Sequence, residues 1–247
     1  MNVKILSYNI RFGGLDRESS ITNVIREIAP DLVIFQEAIV PAVIEQIAKA
    51  AGMSGWMSKK NHSLAYCSKI PIDHYEWHYP RGSRHPYLEL VPGGSETRIF
   101  GVHLRAMFSN WGERKRKLEL QSLLTSIRKH QEGFHLLIGD FNSLAPDEML
   151  NFKKMPAWIK AMTWLSGRDI QREVVRSMLN QGYVDTFRVA HPEDPGFTFP
   201  TSDPHLRFDY AFLPSSAMNR LKQSRVMEIN SAKSASDHFP LLCEVEI

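Results

Sequence analysis

Acidic and amide side chains follow apolar runs at several points of this sequence. The run 135–138 ends in Gly139-Asp140-Phe141-Asn142, which places two ligand-capable side chains directly after a strand-like segment. The same placement recurs at Asn9 after 3–8, at Glu37 after 32–36, at Asp209 after 206–208, and at Asp237-His238 before 239–242. Strand ends that converge on one edge make a pocket, and carboxylates gathered there predict a bound cation.

These residue types suit the hydrolysis of a phosphate ester. That reaction is slow in water because a hydroxide must approach an anion while an alkoxide leaves. An enzyme relieves both difficulties with a bound metal, a carboxylate base and donors aimed at the phosphoryl oxygens. Glu37 and Asp237 offer hard oxygen ligands for Mg²⁺ or Mn²⁺, and Asp140 can accept a proton from water. The other polar candidates are Asn9, Asn142, His103 and His238.

Each of these residues also has an ordinary structural interpretation. A glutamate at a strand end is commonly a solvated loop residue, and Gly-Asp-Phe-Asn can form an Asx turn. His103 taken alone is explained equally well as a hydrogen-bonded core histidine, and Asp209 as a salt-bridge partner of Arg207. It is their combination, in this order along the chain, that favours chemistry.

The elements that must position these residues alternate between strand and helix. The apolar pattern predicts a strand over 3–9, a helix carrying apolar residues at 21–28, and a strand over 32–37. Pro41 suits the first turn of a second helix. From 62 to 104 the runs are short and broken by prolines and glycines, which indicates antiparallel strands and loops.

The second half of the chain opens with an amphipathic helix predicted over 112–130, which leads into the strand of Asp140. The stretch 147–182 has helical content without matching strands, as in Trp158 to Leu165 and Val174 to Leu179, and is interpreted as an excursion between strands. No repeat or low-complexity segment marks a boundary. We therefore expect one mixed α/β domain over 1–247.

Composition sets broad limits. The 247 residues are 43% hydrophobic and 23% charged, which is typical of a globular chain that buries roughly 70 to 75% of its unfolded surface. A net charge of +3 permits a polyanionic partner without requiring one. Cys67 and Cys243 lie in apolar stretches, so no disulfide framework is indicated. With no signal-peptide pattern and no membrane-length apolar run, we expect a soluble, cytoplasmic monomer.

Six motifs in this order resemble those of the endonuclease/exonuclease/phosphatase (deoxyribonuclease I-like) superfamily. They are Ser7-Tyr8-Asn9-Ile10-Arg11, Phe35-Gln36-Glu37, Gly101-Val102-His103, Gly139-Asp140-Phe141-Asn142, Arg207-Phe208-Asp209-Tyr210 and Ser236-Asp237-His238-Phe239-Pro240. The resemblance implies an α/β fold of the α+β type. The implied fold is a four-layer α/β/β/α sandwich, in which two mixed β-sheets are flanked by helices and the active site lies on one rim. It further implies that Glu37 holds Mg²⁺ or Mn²⁺, with Asn9 and Asp237 nearby.

The resemblance also implies catalytic roles. Asp140 would activate the water, and Asn142 would orient that water or the phosphate. Asp209 would keep His238 oriented and protonated toward the phosphate, while His103 would bind a second phosphoryl oxygen. Abasic-site endonucleases typically carry a tyrosine at the position of His103, so that activity is disfavoured.

Five residues are candidates for substrate contact: Arg11, Arg105, Phe108, Trp111 and Phe199. Strand alternation would place Arg11 on the same face as Asn9. Three of the others closely follow His103, and Phe199 lies in an aromatic loop before the Asp209 motif. Core packing is the competing interpretation for the aromatic residues.

The leading functional hypothesis is a metal-dependent phosphodiesterase that acts on nucleic acid, as a nuclease of DNA or RNA. The alternative is a phosphomonoesterase, or a hydrolase of lipid or small-molecule phosphates. A third hypothesis is an inactive polyanion-binding module. Such a module should have lost at least one of Glu37, Asp140, Asp209 and His238, whereas all four are present.

Overall fold

The structure, a computed structural model, describes residues 1–106, 109–130, 133–148, 151, 153–154, 160–161 and 172–247. Within these residues, twelve strands form two six-stranded mixed sheets. The first sheet has the order β11 (Leu221–Val226), β12 (Leu241–Glu246), β1 (Asn2–Asn9), β2 (Leu32–Gln36), β4 (Ala65–Ser68), β3 (Gly55–Met57). The second has the order β5 (Ile72–His78), β6 (Tyr87–Pro92), β7 (Arg98–His103), β8 (His135–Asp140), β10 (Asp209–Pro214), β9 (Tyr183–Asp185).

Helices cover the outer faces of both sheets. The described helices are α1 (Glu18–Ile28), α2 (Pro41–Ala50), α3 (Asn110–Ile127), α4 (Glu173–Asn180), α5 (Thr186–Ala190) and α6 (Asn230–Ala235). Short 3₁₀ segments lie at Phe12–Gly14, Arg128–His130 and Ser215–Arg220. No described helix combines the length and apolarity needed to cross a membrane.

Three apolar layers follow from the alternation of side chains along the strands. On β1, Leu6 packs in the layer beneath α1 and α2, whereas Ile5 faces the other sheet. On β8, Ile138 enters that central layer and Leu137 packs beneath α3. The chain is therefore the predicted α/β/β/α sandwich of two mixed sheets flanked by helices, and that prediction is confirmed.

The predicted elements correspond closely to the observed ones in the first half of the chain. The second helix begins at Pro41 as expected, and the helix predicted over 112–130 is α3 followed by a 3₁₀ turn. Of the helical content predicted in 147–182, Val174 and Met178 lie on α4 and are buried. The portion from Trp158 to Leu165 falls largely outside the described residues. A single domain over 1–247 stays a prediction.

The two parallel strand pairs bring the functional segments to one rim. β1 pairs in parallel with β2, and β7 pairs in parallel with β8, so within each pair both strands end at the same edge. A Cβ atom at Gly139 would lie 1.9 Å from the Val102 carbonyl oxygen, so only glycine allows β8 to approach β7 this closely. The next residue, Asp140, is thereby brought opposite His103.

Candidate active site

The two sheets meet at the rim through Asn9, the last residue of β1. Its Nδ2 atom donates to Asp140 Oδ2 over 3.0 Å and lies 3.3 Å from Glu37 Oε1. Its Oδ1 atom accepts a hydrogen bond of 3.0 Å from the backbone N–H of Arg11. In this arrangement the Asn9 amide holds two carboxylates together, and its oxygen is already engaged.

Glu37 and Asp237 present half-buried carboxylates at the mouth of this rim. The Glu37 backbone has a φ of 57°, and its Oε2 atom accepts a 2.7 Å hydrogen bond from the Phe12 N–H. Asp237 Oδ2 lies 3.4 Å from Arg11 Nε. Both groups are hard oxygen donors of the kind that Mg²⁺ and Mn²⁺ prefer.

His238 and Asp209 form a buried pair beside Asp140. His238 Nδ1 lies 2.8 Å from Asp209 Oδ2, and His238 Nε2 lies 4.0 Å from Asp140 Oδ2. Burial alone would lower the pKa of His238, but the charge and hydrogen bond of Asp209 and the charge of Asp140 outweigh it and raise that pKa to about 10. The His238 ring is therefore an imidazolium that is oriented by Asp209.

Asp140 is buried at the end of β8. Burial and the charge of Asp209 raise its pKa to about 7, against the opposing effects of His238 and Asn9. The backbone N–H of Asn142 donates to Asp140 Oδ1 over 2.8 Å. A carboxyl group whose pKa lies near neutrality suits exchange of a proton with water.

His103 is buried at the end of β7, where its ring contacts Ser63. Ser63 Oγ accepts the Glu37 N–H over 3.0 Å and also contacts His103 Nδ1. A Ser63 hydroxyl that donates to Nδ1 places the proton of the neutral ring on Nε2, where it faces Asp140 Oδ2 at 3.8 Å. Burial, with the charges of His85 and His238, holds the pKa of His103 well below its usual value.

Two buried polar atoms at this rim are available to bind a ligand. Among the described residues, His103 Nε2 and Asp209 Oδ1 make no hydrogen bond, although buried polar groups are normally satisfied. His103 Nε2 lies 3.8 Å from Asp140 Oδ2. An unpaired donor and an unpaired acceptor beside a carboxylate suit the binding of a phosphate oxyanion together with a water molecule or a cation.

The five substrate-contact candidates differ in their surroundings. Arg11 lies beyond the end of β1 with a φ of 50°, so strand alternation does not explain its place beside Asp237. The Phe199 ring packs 5.0 Å from the His238 ring. Arg105 Nε lies 3.3 Å from the buried Glu119 carboxylate, which engages its guanidinium. The remaining two candidates are Trp111, which is exposed on the first turn of α3, and Phe108, which lies outside the described residues.

The sequence interpretation missed three residues of this rim: Ser63, His85 and Phe12. The His85 ring stacks in parallel on His103 at 4.8 Å. Phe12 is 69% exposed although its backbone N–H binds Glu37. Ser63 and His85 lie in loops without a motif, and sheet packing brings them to the rim. The run Arg11-Phe12-Gly13-Gly14 did carry a signal, since two consecutive glycines shortly after Asn9 indicate a tight turn.

Comparisons with known proteins agree on the fold. A family model described as the Endonuclease/Exonuclease/phosphatase family matches residues 6–238. A search of curated proteins finds no significant match. An AP endonuclease from Archaeoglobus fulgidus is 17% identical, with a TM-score of 0.75 over 99% of this chain and 100% of its own.

Two further solved structures have the same architecture. The 3' phosphatase NExo from Neisseria, bound to a product DNA hairpin, is 17% identical, with a TM-score of 0.71 over 99% of this chain and 100% of its own. A humanized D. rerio TDP2 is 16% identical, with a TM-score of 0.68 over 100% of this chain and 99% of its own. At these identities the likeness establishes a shared fold.

Proposed function

Because this chain belongs to the endonuclease/exonuclease/phosphatase family, we propose that it is a divalent-metal-dependent phosphodiesterase that cleaves nucleic acid. Members of this superfamily are hydrolases of phosphate esters and use divalent metals. The observation that carries the proposal is the buried His238–Asp209 pair, whose free ring nitrogen faces Asp140 at 4.0 Å. An imidazolium beside a carboxyl group of near-neutral pKa supplies both the phosphate-binding charge and the base.

The metal would be held by Glu37 and Asp237, with Asp140 close behind them. The two half-buried carboxylates and the unpaired Asp209 Oδ1 fit a hydrated cation. A Mg²⁺ or Mn²⁺ ion held there would neutralise charge on the phosphate and on the leaving oxygen. Asn9 keeps the carboxylates of Glu37 and Asp140 at a fixed separation through its amide nitrogen.

The chain's own residues divide the chemistry between them. Ionised Asp140 accepts the proton of the attacking water, and the Asn142 N–H holds its other oxygen in place. The Nε2 protons of His238 and His103 donate to phosphoryl oxygens, where negative charge grows in the transition state. His238 brings a full positive charge, whereas His103 acts as a neutral donor.

The outer rim supports nucleic acid as the substrate class. Phe12 is 69% exposed, and the guanidinium of Arg11 lies 5.5 Å from its ring. An exposed aromatic ring can stack on a base, and an adjacent guanidinium can bind a backbone phosphate. An inositol phosphate or sphingomyelin has no base to stack. The structural neighbour NExo was solved with a DNA hairpin, which is in keeping with this substrate class.

The test is a substrate panel under matched Mg²⁺ or Mn²⁺. It comprises duplex DNA, single-stranded DNA, RNA, end-blocked oligonucleotides, inositol phosphates and sphingomyelin. We expect cleavage of at least one nucleic acid, lost in Asp140→Asn and kept in Asp147→Asn, whose carboxylate is exposed on the surface. Cleavage of only a phosphomonoester or a lipid would show that nucleic acid is not the substrate class. Equal rates in wild type and Asp140→Asn would overturn the enzyme proposal.

A further inference from the structure

A second group of titratable side chains lies on the outer strands of the second sheet. His74, Glu76 and His78 occupy alternate positions of β5 and therefore project from one face. Glu89 on β6 is the direct cross-strand partner of Glu76. Four potential metal ligands thus share one patch on two adjacent strands.

This patch lies on the opposite face of the sheet from the active-site histidine. Glu89 pairs across the strands with Phe100, whose side chain packs in the outer layer beneath α3. Ile99 enters the central layer, so along β7 the odd-numbered side chains, including His103, point to the inner face. The patch is therefore separate from the rim that carries Asp140.

The opposed carboxylates of Glu76 and Glu89 are stabilised by nearby positive charge. Like charges directly opposite each other on neighbouring strands destabilise a sheet. Arg98 Nη1 contacts Glu89 Oε1, and His78 Nε2 lies 2.6 Å from Glu89 Oε2 in a hydrogen bond, so a bound cation would replace the proton that these two atoms share. Glu89 is only 2% exposed, so its carboxylate depends on partners rather than on water.

The spacing of the ligating atoms suits one small cation. His74, Glu76 and Glu89 each offer an atom within 4.8 Å of the others. Glu76 Oε2 lies 3.7 Å from His74 Nε2 and 3.8 Å from His78 Nε2, too far for direct hydrogen bonds. Ligands about 2.0 to 2.1 Å from a tetrahedral zinc ion lie about 3.3 Å apart, so a small inward movement would close the site.

We propose that His74, Glu76, His78 and Glu89 bind a divalent cation of the zinc class. Two imidazoles and two carboxylates suit Zn²⁺, Co²⁺ or Ni²⁺, whereas Mg²⁺ prefers oxygen ligands alone. The bound ion links the edge strand β5 to β6 and neutralises the opposed glutamates. It stabilises the folded protein by mass action, because the unfolded chain does not preserve the site.

The test is calorimetric titration of the full chain with Zn²⁺ while Mg²⁺ saturates the active site. We expect one bound Zn²⁺ per chain and a rise in Tm on binding. His74→Ala and His78→Ala should each weaken binding by at least about tenfold and remove most of the rise in Tm. His62→Ala is the matched control, because this histidine contacts Tyr79 outside the patch.

The Glu37→Gln variant separates this site from the active site. If the patch binds Zn²⁺, that variant keeps the binding, even if the protein proves to have no phosphodiesterase activity. Loss of Zn²⁺ binding in Glu37→Gln, or equal binding by His74→Ala and His62→Ala, would overturn the proposal. Because His74 is half exposed, its replacement leaves the fold intact, and unchanged circular dichroism verifies this.

Discussion

Asn9 and Asp140 are 131 residues apart in the chain, yet Asn9 Nδ2 donates to Asp140 Oδ2 over 3.0 Å. Asn9 ends a strand of the first sheet and Asp140 ends a strand of the second, so this bond closes the sandwich at its functional rim. The same nitrogen lies 3.3 Å from Glu37 Oε1. One neutral amide thus separates two carboxylates that would otherwise repel each other.

Replacing Asn9 by alanine should damage activity more than stability. Without the amide, Glu37 and Asp140 lose a shared donor, and the base is no longer held in position. We expect kcat on a simple phosphodiester to fall by about 10² to 10³, in the range found when one positioned donor is removed. Asn219→Ala, at an exposed surface asparagine, is the control and should retain full activity.

Asp209→Asn should show how far the raised pKa of His238 depends on the charge of Asp209. The negative charge of Asp209 is a main reason why the pKa of His238 is raised to about 10. Without that charge the pKa falls, so the alkaline limb of the kcat profile should move to lower pH and the maximal rate should drop. An unshifted alkaline limb in the variant would show that Asp209 does not keep this ring charged.

Phe12→Ala should separate nucleic acid from small substrates. The ring is exposed and makes few packing contacts, so its removal should leave folding unchanged. We expect KM for an oligonucleotide to rise by about tenfold, since stacking on one base is worth about 1 to 3 kcal/mol. kcat/KM on a small dialkyl phosphodiester that carries no aromatic group should be unaltered. Val189→Ala, at another exposed apolar residue, should change neither parameter.

The alternating apolar runs, which are local properties of the sequence, predicted a mixed α/β chain, and the family resemblance carried by the order of the motifs implied the sandwich. Asp140 and Glu37 could likewise be singled out as polar residues that end such runs. The contact between His103 and Ser63 could not be predicted, because Ser63 belongs to a different strand connection. The hydrogen bond between Arg105 and Glu119 could not be predicted either, because it requires the packing of α3 on the sheet.

A final prediction concerns stability rather than catalysis. His135 is buried at the start of β8, where Nδ1 donates to the Gly133 carbonyl over 2.9 Å and Nε2 accepts from the Tyr183 hydroxyl over 2.8 Å. This pattern requires a neutral ring, and burial lowers the pKa of His135 below its usual value despite the Gly133 bond. The unfolded chain therefore takes up the proton first as pH falls.

The contribution of His135 is accordingly complete above about pH 6.5 and is lost as the pH falls below that value toward its folded pKa. Urea unfolding of the metal-free protein at about pH 7.5 and pH 5.5 measures the loss. His135→Gln removes the titrating group, so its free energy of unfolding should fall less on acidification than that of wild type. His62→Gln, at a histidine whose ring contacts the exposed Tyr79, should behave as wild type. An equal loss in His135→Gln and wild type would mean that acid sensitivity arises at other buried histidines.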